Sequence, residues 1–274
     1  MDYDVKLLEK VIDIAVLAGK EIMKIYRKDF SVEYKDDNSP LTEADRHSNN
    51  VIISGLSKLD RQYPVLSEES KVVDYAERKN WKTFWLVDPI DGTKEFIKKN
   101  GEFTVNIALI DGGVPVMGVV YAPAIDTLYY GMKDHGAFRR RGAETVKLPA
   151  EKNEPSASGI IRVVASKSHM NSETTDFIDR ISKQYPSCSV ECVSMGSSLK
   201  LCMVADGSAD IYPRVAPTME WDTAAAQAVA EAAGKAVYDF SSFPADKDVL
   251  GGNLKAVRLQ YNKENLLNPY FVVV

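Results

Sequence analysis

Histidine, cysteine and tryptophan are scarce in this 274-residue chain, three of each. The histidines, His47, His135 and His169, show neither H-E-x-x-H nor paired spacing, which argues against a histidine-rich zinc centre. Cys188, Cys192 and Cys202 are odd in number and lack C-x-x-C spacing, so they read as reduced, partly buried thiols rather than a disulfide framework. Long apolar runs are missing too. Nothing approaches the roughly 18 uninterrupted apolar residues of a membrane span. The acidic, amphipathic start M-D-Y-D-V-K-L-L-E-K does not look like a signal peptide. Together these absences predict a soluble, cytoplasmic protein without a transmembrane segment, and they leave peripheral attachment to the inner membrane open.

Positive charge is short as well. The net charge is −5, whereas nucleic-acid binders show a basic excess or stripe; no nucleic-acid partner is expected. Arg139-Arg140-Arg141, beside Gly142, is the one basic run, and it reads as a solvated turn. Apolar content of 45% and charged content of 27% are ordinary for a globular chain, and the length suits one or two domains.

Val5 to Arg27 carries apolar residues at helical spacing (Leu8, Val11, Ile12, Ala15, Ile22). Tyr34 to Pro40 is polar and reads as a loop, after which Thr42 is a good N-cap for a helix to about Leu59. Val65-Leu66 is a short apolar piece delivering Glu68-Glu69. Phe103 to Ile110 alternates and ends in Asp111-Gly112-Gly113, a hairpin signal continued by strands at Val116–Tyr121 and Thr127–Gly131. The polar stretch Glu144–Ser158 marks a subdomain border, which divides the chain into residues 1–155 and 156–274 within one catalytic unit. Beyond it the pattern alternates. Strands are expected at Ile161–Ala165, Ser189–Val193, Ala209–Tyr212 and Lys235–Tyr238, and helices at Ser172–Lys183, Ser197–Ala205 and Asp222–Ala233. Gly234 suits the stop of the Ala-rich helix. Such alternation argues for layered helices and sheets.

The chemistry concentrates at Phe84-Trp-Leu-Val-Asp-Pro-Ile-Asp-Gly-Thr93. A buried strand ends in Asp88 and Asp91 with Pro89 between them. Proline ends strand pairing and holds Asp88 extended, so both carboxylates can face one point. Like charges that close raise a pKa unless a cation intervenes, and hard oxygen ligands suit magnesium. Gly92 allows close backbone approach. Thr93 starts a short helix whose first N–H groups form a natural phosphate seat. A cation site next to an anion site is the arrangement of metal-assisted phosphate chemistry. Each piece alone has a plainer reading: an Asx turn for Asp88 and Asp91, a solvated turn for Glu68-Glu69, and an N-cap for Asp222. The D-x-D-G-T nucleophile motif of haloacid-dehalogenase-type phosphatases is the chemical competitor. Here two residues separate the aspartates, one of them proline, and the motif lies a third of the way along the chain.

Glu68-Glu69, D-P-I-D-G-T (Asp88 to Thr93) and Trp221-Asp222, in that order, resemble the inositol-monophosphatase superfamily of lithium-sensitive, magnesium-dependent phosphatases. The similarity runs from Thr42-Glu-Ala-Asp45 to Leu267-Asn-Pro269. Gly196-Ser-Ser-Leu-Lys200 and Ala209-Asp-Ile-Tyr-Pro-Arg214 are most similar to its bacterial 3'(2'),5'-bisphosphate nucleotidase branch. The resemblance implies a five-layered αβαβα sandwich, an α/β fold of the inositol-monophosphatase/fructose-bisphosphatase type. It implies one Mg2+ on Glu68, Asp88 and the Ile90 carbonyl, and a second on Asp88, Asp91 and Asp222. A third, looser ion would sit near Glu68. Gly92 and Thr93 would grip phosphate, and Asp45 with Thr93 would orient the attacking water. Ser197, Lys200, Arg214 and His169 would meet the nucleotide, with Lys200 and Arg214 matching the chemistry of a second, uncleaved phosphate. The implied reaction is direct hydrolysis of adenosine 3',5'-bisphosphate to AMP and phosphate by a metal-activated water. An inositol or sugar phosphatase is the nearest alternative, and a non-catalytic nucleotide sensor a more distant one.

Overall fold

A computed structural model describes residues 3–34, 40–71, 73–150, 159–165, 171–243, 248–250 and 254–274. The first layer is a helix pair, α1 (Val5–Tyr26) and α2 (Glu43–Leu56). Between them, β1 (Val32–Tyr34) pairs with β2 (Pro40–Thr42). The expected loop over Tyr34–Pro40 is thus bounded by a two-strand ladder that includes both of its end residues.

Seven strands form the second layer: β3 (Val65–Ser67), β4 (Thr83–Asp91), β5 (Thr104–Asp111), β6 (Val114–Ala122), β7 (Thr127–Met132), β8 (Gly136–Arg141) and β9 (Glu144–Lys147). Their spatial order follows the sequence. β3 runs parallel to β4 and the rest are antiparallel. The short helices α3 (Tyr75–Arg78) and α4 (Thr93–Ile97) flank β4. Along β4, Trp85 and Val87 enter the core with α1 and α2, while Phe84 and Leu86 enter the core on the opposite face. A strand sandwiched on both sides reads as an uninterrupted apolar run, as Phe84–Val87 does. For the same reason β5, whose sequence alternates, is buried from Thr104 to Ile110.

Two expectations change here. Arg139–Arg141 is not a turn but the end of β8. Phe138 stacks on Tyr130 with centroids 5.4 Å apart, and Arg139 donates to buried Asp206 at 2.8 Å. The polar border region likewise begins with an edge strand, β9, which is polar because all but Val146 of its residues are exposed.

The second half supplies the other three layers. Strand β10 (Ile160–Val164), helix α5 (Ser172–Gln184) and strand β11 (Ser189–Val193) form a parallel unit. Helices α6 (Leu199–Asp206) and α7 (Glu220–Ala232) make the middle layer, packed on the seven-stranded sheet. Strands β12 (Tyr212–Arg214), β13 (Val237–Asp239) and β14 (Phe271–Val273) form an antiparallel sheet with β14 in the middle. A parallel bridge from Val163 to Ile211 joins it to β10. Phe177 and Ile181 of α5 close the outermost layer over Ile161, Val163 and Val272. The order is αβαβα, as expected. Helix α7 lies close to its sheet because Gly118 on β6 leaves room. A Cβ there would stand 2.1 Å from the Ala225 carbonyl oxygen.

Candidate active site

Four elements converge where β4 ends. The ladder to β5 breaks register between Asp88 and Asp91, so Pro89 and Ile90 bulge out. Three bonds pin the bulge: Ile90 N–H donates to Asp88 Oδ1 at 3.0 Å, the Ser48 hydroxyl of α2 donates to the Pro89 carbonyl at 2.8 Å, and the Thr93 hydroxyl reaches the Ile90 carbonyl at 3.4 Å. Gly92 follows at φ +91, a left-handed turn that favours glycine. It opens α4, bringing Thr93 to 3.4 Å from Asp45 Oδ1. Asp45 is itself fixed. Its Oδ2 accepts from the Thr42 N–H at 2.8 Å and the Thr42 hydroxyl at 2.7 Å, a capping box at the start of α2.

Glu68 arrives from β3, where its N–H donates to the Val87 carbonyl at 3.2 Å. Asp222 is the third residue of α7, and its Oδ2 accepts from the Met219 N–H at 2.8 Å. One carboxylate oxygen from each of Glu68, Asp88 and Asp222 lies within 4.8 Å of the other two. Asp91 is outside that trio. Its Oδ2 accepts from the Ser198 hydroxyl at 2.7 Å.

The electrostatics follow from this crowding. Asp88 is 1% exposed. Burial first, and then the charges of Glu68, Asp91, Asp222 and Asp45, push its carboxyl well above the usual range. Burial and Asp91 push Asp222 up to about 8, against the pull of the Met219 N–H and Arg214. Three hard oxygen donors from three separate elements, crowded together at a buried strand end, suit a divalent cation. The trio could hold a metal ion.

Beside the acids a cleft of about 230 Å³ is lined by Asp91, Gly92, Ser197, Lys200, Arg214 and Asp222, among others. Ser197 holds a left-handed φ of +48, and its hydroxyl stands 3.5 Å from that of Thr104. Burial lowers the pKa of Lys200 and Arg214 lowers it further, while Asp91, Glu95 and Glu102 pull it back up. Among the described residues the buried Arg214 Nε has no hydrogen-bond partner, and its Nη2 donates to the Pro217 carbonyl at 3.0 Å.

The fold therefore gathers Asp45, Glu68, Asp88, Ile90, Asp91, Gly92, Thr93, Ser197, Lys200, Arg214 and Asp222 around one cleft and its acidic wall; His169 lies outside the described residues. Sequence reasoning missed Ser48, Asn106 and Ser198. The signal for Asn106 was present, a lone amide between Val105 and Ile107 in an apolar strand. For Ser198 the doublet gave no reason to prefer it to Ser197.

The inositol monophosphatase family profile matches residues 5–269. The 3'(2'),5'-bisphosphate nucleotidase CysQ of Salmonella typhimurium is 43% identical over 270 residues, 97% of this chain and 99% of that protein. The protein of the same name from Buchnera aphidicola is 42% identical over 251 residues, 91% of this chain and 87% of its own. The crystal structure of CysQ from Bacteroides thetaiotaomicron, described as a bacterial member of the inositol monophosphatase family, superposes with a TM-score of 0.83 at 43% identity. The match covers 99% of this chain and 97% of that one. With the layered fold and the acidic wall at the end of β4, these matches show that the chain belongs to the inositol monophosphatase family.

Proposed function

We propose that this chain is a magnesium-dependent phosphomonoester hydrolase of the cytoplasm that removes the 3'-phosphate of adenosine 3',5'-bisphosphate, giving AMP and phosphate. One observation carries the reading. The same cleft is lined by acids (Asp91, Asp222) and by cationic side chains (Lys200, Arg214). A substrate with one phosphate to cleave and another to anchor fits such a cleft. A buried guanidinium nitrogen with no hydrogen-bond partner among the described residues and an ammonium disfavoured by burial are both improved by an anion. The names of the Salmonella and Buchnera relatives support the substrate class.

Glu68, Asp88, Asp91, Asp222 and the Ile90 carbonyl would hold two magnesium ions, with a third and looser one beside Glu68. Magnesium bound there would supply Lewis acidity toward the phosphoryl oxygens and lower the pKa of water. The chain does the positioning. Backbone N–H groups of Gly92 and Thr93 face the phosphate, and the Thr93 hydroxyl, oriented by Asp45, holds the attacking water in line with the ribose oxygen. As the new P–O bond forms and the bond to ribose breaks, the attacking water gives up one proton and the leaving ribose oxygen takes one up, so that water is split between the two products. Ser197, Lys200 and Arg214, with His169, would hold the remaining nucleotide.

The test is a side-by-side rate measurement in magnesium with adenosine 3',5'-bisphosphate and inositol 1-phosphate. A clear preference for the bisphosphate is expected, with inhibition by millimolar lithium and no phospho-aspartate trapped on acid quenching. Preference for inositol 1-phosphate would make this an inositol phosphatase, and binding of the bisphosphate without phosphate release would make it a sensor.

A further inference from the structure

Ser198 is 1% exposed and stands between three elements at once. Its Oγ is 2.7 Å from Asp91 Oδ2 and 2.6 Å from the main-chain oxygen of Asp222, and it accepts from Asn106 Nδ2 at 2.9 Å. Asn106 is likewise 1% exposed and is the cross-strand partner of Asp88. A hydroxyl has one proton to give. With acceptors on two sides, it needs a donor on the third, which fixes the Asn106 amide with its nitrogen toward Ser198. The single hydroxyl proton lies between its two acceptors and is shared by Asp91 Oδ2 and the Asp222 carbonyl. The backbone is bent to achieve this, because Ser197 just before it is held at a left-handed φ of +48.

We propose that Ser198, supported by Asn106, is a positioning residue for the acidic centre: it binds Asp91 Oδ2 and the first turn of α7 to one point, so that Asp91 presents its other oxygen to the cation at a set distance from Asp222. This rests on the reading of the acidic wall as the metal site of a phosphatase. The end of β4, laddered to the strand that carries Asn106, and the start of α7 are separate ligand-bearing pieces, and the Ser198 hydroxyl spans them. Groups that orient metal ligands in this way typically change metal affinity roughly 10- to 100-fold when removed.

The experiment is a calorimetric titration of the chelator-treated protein with magnesium chloride, without nucleotide, on wild type, Ser198→Ala, Asn106→Ala and Asp91→Asn. Melting curves are recorded in parallel. Ser198→Ala is expected to weaken magnesium binding about 10-fold or more, with Asn106→Ala in the same direction. Because Ser198 acts through Asp91, adding Ser198→Ala to Asp91→Asn should weaken binding by clearly less than it does alone. If Ser198→Ala binds magnesium like wild type, the proposal is overturned even where its melting temperature falls, since that is what a merely structural serine would do. An additive double variant overturns it as well. Should Ser198→Ala fail to fold, the Asn106→Ala titration decides alone, with wild-type affinity counting against the proposal. Wild type that binds no magnesium would remove the metal-site reading itself, an outcome distinct from the others.

Discussion

Asp45 Oδ1 faces the Thr93 hydroxyl across 3.4 Å, from the first turn of α2 to the first residue of α4. The other oxygen of Asp45 caps its own helix through Thr42. One carboxylate thus serves stability with one atom and the site with the other, and substitution can separate the two. Asp45→Asn keeps an oxygen for the cap, so its melting temperature should stay close to wild type while turnover falls roughly 100-fold or more, the scale of losing a proton-handling group. Asp45→Ala should lose the same activity and also about 1 kcal/mol of stability, as expected for a missing cap. Steady-state rates and melting curves on both variants check this. Full activity in a folded Asp45→Asn protein would be the contrary result.

Much of this arrangement was legible in the sequence because local chemistry dictated it. Thr42 and Asp45 form a capping box whatever surrounds them, and Pro89 forces the chain out of the ladder. The apolar run of β4 reads as a buried strand, and both of its faces are covered. What stayed hidden depended on partners distant in sequence. Arg139 joins a strand because Asp206, 67 residues on, receives it. The contacts of Ser198 exist only once Asn106, Asp91 and the start of α7 surround it. The trio of Glu68, Asp88 and Asp222 needs β3, β4 and α7 in place before it exists.

Lys200 and Arg214 should discriminate between substrates rather than drive the reaction. Lys200→Met is expected to raise KM for adenosine 3',5'-bisphosphate roughly 10- to 100-fold, the worth of one charge-assisted hydrogen bond. Any slow hydrolysis of inositol 1-phosphate, which has no second phosphate, should change little. Arg214→Lys should lose part of the same affinity, because a point charge replaces a fork. The ratio of KM values for the two substrates is the measurement. An equal effect on both would mean that these cations hold the cleaved phosphate or only the fold.

The acidic wall makes stability of the metal-free protein depend on pH in the unusual direction. A carboxyl with a raised folded pKa binds its proton more tightly when folded, so its stabilisation is complete below the unfolded pKa and disappears as pH climbs through the folded value. For Asp222 that window runs from 3.8 to about 8. Asp88 shifts in the same direction. In chelator, the melting temperature should therefore fall across this range. Asp222→Asn should flatten the decline, and added magnesium should raise the melting temperature more at pH 8 than at pH 5. A chelated protein as stable at pH 8 as at pH 5, with no response to Asp222→Asn, would contradict the charge crowding.

Gly118 offers a way to disturb the site from its far side. It sits on β6 beneath α7, and a Cβ there would meet the Ala225 carbonyl oxygen at 2.1 Å and the Ala228 Cβ at 2.8 Å. Helix backbone cannot swing aside as a flexible side chain can, so Gly118→Ala must lift α7 from the sheet. Overpacking of this kind costs about 1–3 kcal/mol. The first turn of that helix carries Asp222, whose Oδ2 is already tied to Met219. Lifting it should raise the magnesium concentration needed for half-maximal activity as well as lower stability. Gly55→Ala is the control. Its Cβ would press on the Ile14 side chain at 2.7 Å, between α1 and α2 and away from the cleft, so it should destabilise without moving the magnesium requirement. Urea unfolding and magnesium titration of the rate, run on both variants, separate the two effects. If Gly118→Ala lost stability yet kept the wild-type magnesium requirement, the seating of α7 on the sheet would not be what places Asp222.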